Sequence, residues 1–382
     1  MATALARAVV AFHAVKLAGV AANLVMFPTL RPQTAAPHRP QAAPGLPARP
    51  GRPVTSLLVP ARNEGCRLPA ALAGMLTQDV TEIVVLDDQS SDATGAVVQR
   101  AAAADRRVRL VRGTSPPPRW TGKNWACQQL AAAARGDLLV FCDADVLLAP
   151  GALDACWAQM CAQRADVFSV FPRQHTATLG ERLLVPLIDD VLLAFLPHYL
   201  LRLPVPAAAT ANGQLIMLRR SAYNLLGGHA AVATQLAEDL ALARRARRMA
   251  LHLGLALGGD LVGARMYSGY RQSVRGFGKS LRAAHGGHDL ALAVTAAWHL
   301  LAYTVPWLAC RRGRAWRAAA VLGVAQRVLV NAKTGRRAPA EAALVPVTAL
   351  AALPVYALAF RRTASWKGRS YPGPHSVPGR RR

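Results

Sequence analysis

Apolar positions are unevenly distributed along this 382-residue chain, and they divide it into five stretches. Residues 8–28 are apolar apart from His13, Lys16 and Asn23, long enough for a membrane-spanning helix. A cleaved leader with Val20-Ala21-Ala22 at its end is the rival reading. A Pro- and Ala-rich stretch, 31–53, follows as a linker. Within 54–285, short β-branched runs (56–60, 82–86, 108–111 and 138–142) alternate with Ala- and Leu-rich helical stretches. That alternation predicts an α/β domain with a mainly parallel sheet flanked by helices. Beyond Asp289 the chain turns apolar again, with candidate spans at 290–310 and 343–360. The stretch 318–330 between them is short and carries Gln326 and Arg327. The domain order predicted is an anchor (1–30), a linker (31–53), the α/β body (54–285), a second membrane region (286–360) and a basic tail (361–382). The number of carboxy-terminal spans stays open between two and three.

Composition supports membrane segments: 53% of residues are hydrophobic and mean hydropathy is +0.20. The net charge of +26 is concentrated outside the body. The flanks hold 21 of the 46 basic residues but only two acids, Asp289 and Glu341. Basic segments beside apolar runs fit an anionic leaflet, and they place the linker and the body in the cytoplasm of a multi-pass protein at the cell membrane. Nucleic acid is excluded as a partner, since basic and aromatic residues do not interleave. The six cysteines show no zinc spacing and no disulfide framework, which fits a reducing compartment.

Candidate chemistry sits where strands end. Val140-Phe141-Cys142-Asp143-Ala144-Asp145 closes a buried strand with two carboxylates, costly unless a cation meets them. A divalent metal carrying a polyphosphate does so. Asp87 and Asp88 close an earlier strand, followed by Ser90, Ser91 and Asp92, which also suit a helix cap. The turn Pro60-Ala61-Arg62-Asn63-Glu64 follows the first strand, where backbone amides and Glu64 can meet a ligand. Gly122-Lys123 opens a helix and is read as facing phosphate, although Walker A glycine spacing is missing. Glu238-Asp239 starts another helix, either as a pair that complements the helix dipole or as the base for an acceptor hydroxyl. On the acceptor side stand Asn212, Gly213 and His229, the last being more readily a structural loop histidine. Gln272 and Arg275 lie on an amphipathic stretch, 270–281, of the kind that rests on a membrane surface. The apolar stretch 179–203, interrupted by Asp189-Asp190, reads as core or as a lip admitting a lipid.

In this order the motifs resemble those of membrane-bound family 2 glycosyltransferases of the GT-A fold, over roughly residues 54–285. Trp120-Thr121-Gly122-Lys123-Asn124-Trp125-Ala126-Cys127, Arg265-Met266-Tyr267 and the tail Trp366-Lys367-Gly368-Arg369-Ser370-Tyr371 are most similar to the branch that glycosylates carotenoid acids and hydroxycarotenoids. The resemblance implies a UDP-sugar donor, glucose by family habit, contacted by Asp87 and Asp88. It implies Mg²⁺ or Mn²⁺ held by Asp145 with Asp143, and an inverting transfer with Asp239, or else Glu238, as base. It implies a lipophilic terpenoid acceptor; another membrane lipid, or a non-catalytic scaffold with this fold, are the alternatives. Processive members carry Gln-x-x-Arg-Trp, whereas Gln272-x-x-Arg275 is followed here by Gly276, which argues against polymer synthesis.

Overall fold

A computed structural model describes residues 2–32, 52–196, 198–203, 208–336, 339–361, 363–366 and 369–372. Most of the expected linker (33–51) and the end of the basic tail (373–382) lie outside the described residues. The chain divides into two compact units: Pro28–Arg173 with Leu200–Ala264, and Met1–Phe27 with Gln174–Tyr199 and the residues from Arg265 onward.

The first unit is built on ten strands: β1 (Thr55–Ala61), β2 (Glu82–Asp87), β3 (Val108–Arg112), β4 (Leu138–Cys142), β5 (Val146–Leu148), β6 (Val167–Phe171), β7 (Arg173–Gln174, whose second residue falls in the other unit), β8 (Leu215–Arg219), β9 (Leu253–Leu257) and β10 (Val262–Ala264). Seven of them form one sheet in the order β3-β2-β1-β4-β8-β6-β9. The neighbours β3, β2, β1 and β4 are parallel, as are β6 and β9, and only β8 runs against its neighbours β4 and β6. The runs of β1, β2 and β4 are apolar without alternation because both faces are covered, whereas β3, at the sheet edge, is less buried and carries Arg109 and Arg112. Leu57, Val59, Ile83, Val85 and Val140 pack on one side, and Leu58, Val84, Leu86, Leu139 and Phe141 on the other. The four strands read from sequence form one half of the sheet. Directly after the first helix, Thr29 bridges to Leu257, so residues 28–30 continue the sheet beyond β9. In such sheets ligands meet the carboxyl ends of the strands where the order of connection reverses, here at β1 and β4.

The second unit is helical. Three of its helices, Thr3–Met26, Asp289–Leu308 and Ala340–Ala359, are long and apolar enough to cross a membrane. The stretch expected as short at 318–330 is a 20-residue helix, Arg314–Lys333, with Gln326, Arg327 and Asn331 buried. Residues 54–285, expected as one body, are split: Gln174–Tyr199 and the chain from Arg265 belong to the helical unit. The reason lies in the first helix. Its buried positions Ala6, Val9, His13, Lys16, Val20, Asn23 and Phe27 alternate three and four residues apart, the spacing of one helix face. The three polar residues that interrupt this apolar run therefore all point inward. Lys16 Nζ lies 2.7 Å from Asp190 Oδ2 and also donates to the Tyr303 hydroxyl. Gln326 Nε2 donates to Asp190 Oδ1 at 2.5 Å. Asn23 Nδ2 donates to the carbonyls of Leu193 and Leu196, and its Oδ1 accepts from His198 N at 2.8 Å. Arg336 pairs with Asp189 at 3.0 Å. Buried charges persist only when paired in this way, so Asp189-Asp190 ties its apolar segment to the helices.

The amphipathic stretch is also placed differently from its expectation. It forms the helix Tyr270–Ala284, whose apolar face (Val274, Phe277, Leu281) is covered by Val355 and Leu358 of the helix Val345–Ala359. Tyr270 Oη donates to the Ala351 carbonyl at 2.7 Å. That face is not available to lipid, and the helix turns Arg271, Gln272 and Arg275 outward instead.

Candidate active site

Two turns at the carboxyl ends of β1 and β2 are stitched together by their own side chains. Asp88 N donates to Ala61 O at 2.8 Å, and Arg62 Nη1 donates to Asp88 O at 2.5 Å. Asn63, at φ +51°, donates through N to Ser90 Oγ and accepts Ser91 N on Oδ1, each at 2.9 Å. Glu64 N and Gly65 N reach Thr94 Oγ1 and Asp92 Oδ2 at 2.8 and 2.9 Å. Asp92 also accepts Thr94 N, at the start of the helix Thr94–Ala104. Ser90, Ser91 and Asp92 thus serve the stitch, and Asp92 alone of the three also holds the first amide of that helix, whose N-cap residue is Ala93. Asp87 Oδ1 takes Ser90 N at 2.9 Å, and a side chain at Gly95 would press on the other Asp87 oxygen. The missing Cβ keeps that oxygen clear.

β4 delivers Asp143 and Asp145 to the same edge. Asp143 N is bonded to Gln214 O at 2.9 Å, so the loop before β8 fixes where the carboxylates begin. Asp145 Oδ1 is buried with no hydrogen-bond partner. Burial, then Asp143 and Glu64 beside it, push the Asp145 carboxyl up to about 7. A buried, unpaired carboxylate oxygen is where a cation gains most. Among the described residues no group of three His, Cys, Asp or Glu forms a metal cage. Two carboxylates suit a hard cation that keeps its remaining positions for phosphate oxygens and water, so the residues present fit Mg²⁺ or Mn²⁺.

Lys123, one residue inside the helix Gly122–Ala133, is not aimed at open solvent. Its Nζ stands 2.9 Å from Asp143 Oδ1 and 2.9 Å from Glu238 Oε1, with Gly213 O at 3.4 Å. Burial opposes its charge, but Asp143 and Glu238 more than offset this and hold the ammonium well above its usual range. Glu238 opens the helix Glu238–Arg248. Burial would raise its carboxyl, yet Lys123 keeps it below the ordinary value. Asp239, beside it, is bonded instead to backbone amides: Gly213 N to Oδ2 and Leu240 N to Oδ1, both at 2.8 Å. Burial and then the neighbouring Glu238 push Asp239 up to about 6.

The site residues read from sequence fall into three places. Pro60, Lys123, Asp143, Gly213, His229 and Glu238 line one cavity with Cys127, Phe141, Ile216, Leu218 and Leu242. Ala61, Glu64, Asp87, Asp88, Asp145, Asn212 and Asp239 stand on the elements around it. Gln272 and Arg275 belong to the helical unit. Asn212 and Gly213, expected to face the acceptor, act as a bridge in this structure. Asn212 exchanges hydrogen bonds with Ser169 Oγ, its Oδ1 takes Gln214 N, and Gly213 holds Asp239. His229 is buried, with Nδ1 at 2.9 Å from Tyr223 Oη and its ring edge on Phe141. Burial lowers its pKa to about 4, so it stays neutral.

Two supporting residues went unassigned in the sequence. Asn124 Nδ2 donates to the carbonyls of Val232, Ala233 and Gln235, fixing the segment that leads into Glu238-Asp239. Its place after Gly122-Lys123 was the available signal. Ser169, within the apolar β6, supports Asn212 and was visible only as a polar residue in a buried run.

An acidic strand edge, a helix-borne lysine between two carboxylates and a carboxylate held by amides stand together at this edge of the sheet. Comparison with known proteins adds a family. Residues 56–226 match Glycosyl transferase family 2. The chain carries a family 2 glycosyltransferase domain of GT-A type. A 4,4'-diaponeurosporenoate glycosyltransferase of Staphylococcus haemolyticus is 27% identical over 229 residues, which are 59% of this chain and 60% of that protein. The Staphylococcus aureus protein of the same name is 26% identical over 241 residues, 61% of this chain and 62% of its own. The match therefore spans about 60% of the length of these relatives. A mannosyltransferase of Pyrobaculum calidifontis, solved with GDP-Man and Mn²⁺, is alike in fold, with a TM-score of 0.52 and 18% identity over 94% of this chain and 99% of that one.

Proposed function

We propose that this protein transfers a hexose from a nucleotide-diphosphate sugar, UDP-glucose by preference, to a lipophilic terpenoid acceptor such as a carotenoid, with inversion at the sugar. The observation that carries the reading is the placing of Lys123 between Asp143 and Glu238, 2.9 Å from each. One ammonium there ties the edge for the donor to the edge for the acceptor. Asp87 and Asp88 would meet the nucleotide beside the turn that begins at Pro60, Ala61 and Glu64. Asp145, with Asp143, would hold Mg²⁺ or Mn²⁺, which supplies positive charge for the departing diphosphate. Asp239, fixed by two amides and free of the Lys123 ion pair, is the base; Glu238 is occupied by Lys123. A carboxyl poised near 6 suits proton removal at neutral pH. His229 is a floor residue under this assignment, since its ring is engaged by Tyr223 and Phe141.

The three long apolar helices would hold the enzyme in the cell membrane, with the transferase domain on the cytoplasmic side, where nucleotide sugars are found. The carotenoid assignment draws on the two diaponeurosporenoate relatives, and another lipid acceptor is its runner-up. The test is incubation of membranes containing the protein with labelled UDP-glucose, Mn²⁺ and carotenoid. Label is expected in the lipid extract, abolished by chelator and by Asp145→Asn. Undiminished transfer by Asp145→Asn would refute this site.

A further inference from the structure

We infer that the sheet carries a second ligand site, at the amino ends of β1 and β4 and away from the acidic edge, built to take a small hydroxy-carboxylic acid. A cavity of about 210 Å³ opens there, lined by the apolar Pro53, Leu138 and Trp157 and the polar Asp137, Arg219 and Ser221. Leu138 and Arg219 are paired where β4 begins and β8 ends. The five residues of β4 therefore separate the cavity from Asp143, about 17 Å at ~3.3 Å per residue. The walls are fixed by hydrogen bonds of their own. Arg220, also at the cavity, donates through Nε and Nη2 to the carbonyls of Gly136 and Ala134, at 2.7 and 2.9 Å, and through N to Asp137 O at 2.8 Å. Arg52, just before Pro53, pairs with Asp79 at 2.8 Å and with Asp154. Asp154 and Trp157 share the helix Ala152–Ala162. Walls held in this way lose little freedom when a ligand enters.

The groups these walls leave over select the ligand. The Arg219 guanidinium lies 5.3 Å from the centre of the Trp157 ring. Among the described residues it makes no ion pair and no side-chain hydrogen bond, and neither does the Asp137 carboxylate. A ring against its face leaves the edge of a guanidinium open, where parallel N–H groups grip both oxygens of one carboxylate or phosphate. Charge balance decides between the two. Arg219 and Arg220 bring two positive charges to the cavity and Asp137 one negative, a surplus of one. A carboxylate cancels that surplus, whereas a phosphate dianion exceeds it and repels Asp137. As a carboxylate, Asp137 accepts hydrogen bonds and donates none, so a hydroxyl on the same molecule gives it a partner. The volume matches about seven waters at ~30 Å³ each. The ligand then has about that many non-hydrogen atoms, with its carbons against Pro53, Leu138 and Trp157.

The experiment titrates the purified full chain in detergent with 3-hydroxybutanoate, butanoate, butane-1,3-diol and inorganic phosphate, read by ligand-observed NMR. Wild type, Arg219→Gln and Asp137→Ala are compared. A melting temperature within about 2 °C of wild type shows that a variant is folded, and Asp137, being exposed, keeps the test open if Arg219→Gln does not fold. A ligand of about seven non-hydrogen atoms binds in the millimolar range, so 3-hydroxybutanoate is expected to saturate the wild type below about 20 mM. It is expected to bind at least about tenfold more tightly than butanoate or the diol, the worth of a charge-assisted hydrogen bond. Arg219→Gln is expected to weaken it about tenfold or more, and Asp137→Ala to erase its advantage over butanoate. Phosphate bound more tightly than either carboxylate would overturn the ligand class. No saturable binding to wild type, or binding indifferent to both substitutions, would overturn the site itself.

Discussion

Replacing Lys123 with Met removes one ammonium from between two carboxylates, and the consequence depends on pH in a calculable direction. At an effective dielectric of about 20, a contact of 2.9 Å corresponds to roughly 6 kcal/mol of gross attraction. Desolvation offsets much of that, and breaking a buried pair costs about 3–5 kcal/mol. The Lys123 and Asp143 side chains keep 23% and 28% of their exposure, which places the loss at about 3 kcal/mol, or roughly 4 °C in melting temperature for a chain of this length. In the wild type the folded Glu238 pKa is lowered. Its contribution is present above the unfolded value of about 4.3 and is lost as pH falls through the folded pKa. In Lys123→Met only a backbone hydrogen bond and His229 remain to oppose burial, so the folded Glu238 pKa is expected to rise above the unfolded one. Stability is then present at low pH and is lost as pH rises through the folded pKa. The deficit of the variant should be widest near about pH 8 and narrow toward about pH 5. Thermal unfolding of the detergent-solubilised full chain, in chelator, across that range measures it. A gap that is constant, or that widens on acidification, would refute the ion-pair account.

Three further outcomes follow from the same geometry. With Asp239 pushed up to about 6, its unprotonated form accumulates as pH rises, so kcat/KM for a hydroxyl acceptor should climb through about pH 6 and then level. A flat profile from about pH 5 to 7 would exclude Asp239 as base. A Cβ at residue 213 would stand 3.2 Å from Asp239 Oδ2 and Glu238 Oε1, so Gly213→Ala should slow transfer by about tenfold through a small displacement of the base, measurable as kcat at saturating donor; full activity would mean that the base tolerates displacement. In the helical unit, Lys16→Met and Asp190→Asn should each cost about 3–5 kcal/mol, and the double variant less than their sum because neither charge is then stranded. Additive melting-temperature losses would show that the two groups do not act as a pair.

Much of the site was legible because strand ends are marked twice, by apolar runs that stop and by acids that follow. Asp87-Asp88 and Asp143-Ala144-Asp145 both lie where those runs end. The turn at 60–64 and Glu238-Asp239 fall around the same cavity because helix starts and strand ends share this edge. Less legible was what connects them. Ser169, Asn124 and the 212–214 loop act through backbone partners far away in sequence, which no local pattern reveals. The strands β6 and β9 were not singled out, and β8 runs antiparallel through a mainly parallel sheet. The insertion of Gln174–Tyr199 into the helical unit was hidden for a different reason. Its Asp189-Asp190 read as a break in an apolar stretch, whereas His13, Lys16 and Asn23 on one face of the first helix supply the complementary polar groups. Their shared face and what they meet both emerge only in the fold.

The central claim, that the acidic edge binds a nucleotide sugar through a metal at Asp145, is tested most directly by calorimetric titration of the purified full chain with UDP-glucose. Titrations with Mn²⁺ and with chelator, on wild type and Asp145→Asn, are compared. The account predicts saturable binding that requires Mn²⁺, weakens as pH falls below about 7, where Asp145 takes a proton, and disappears in Asp145→Asn. Binding that survives both chelation and the substitution would contradict it.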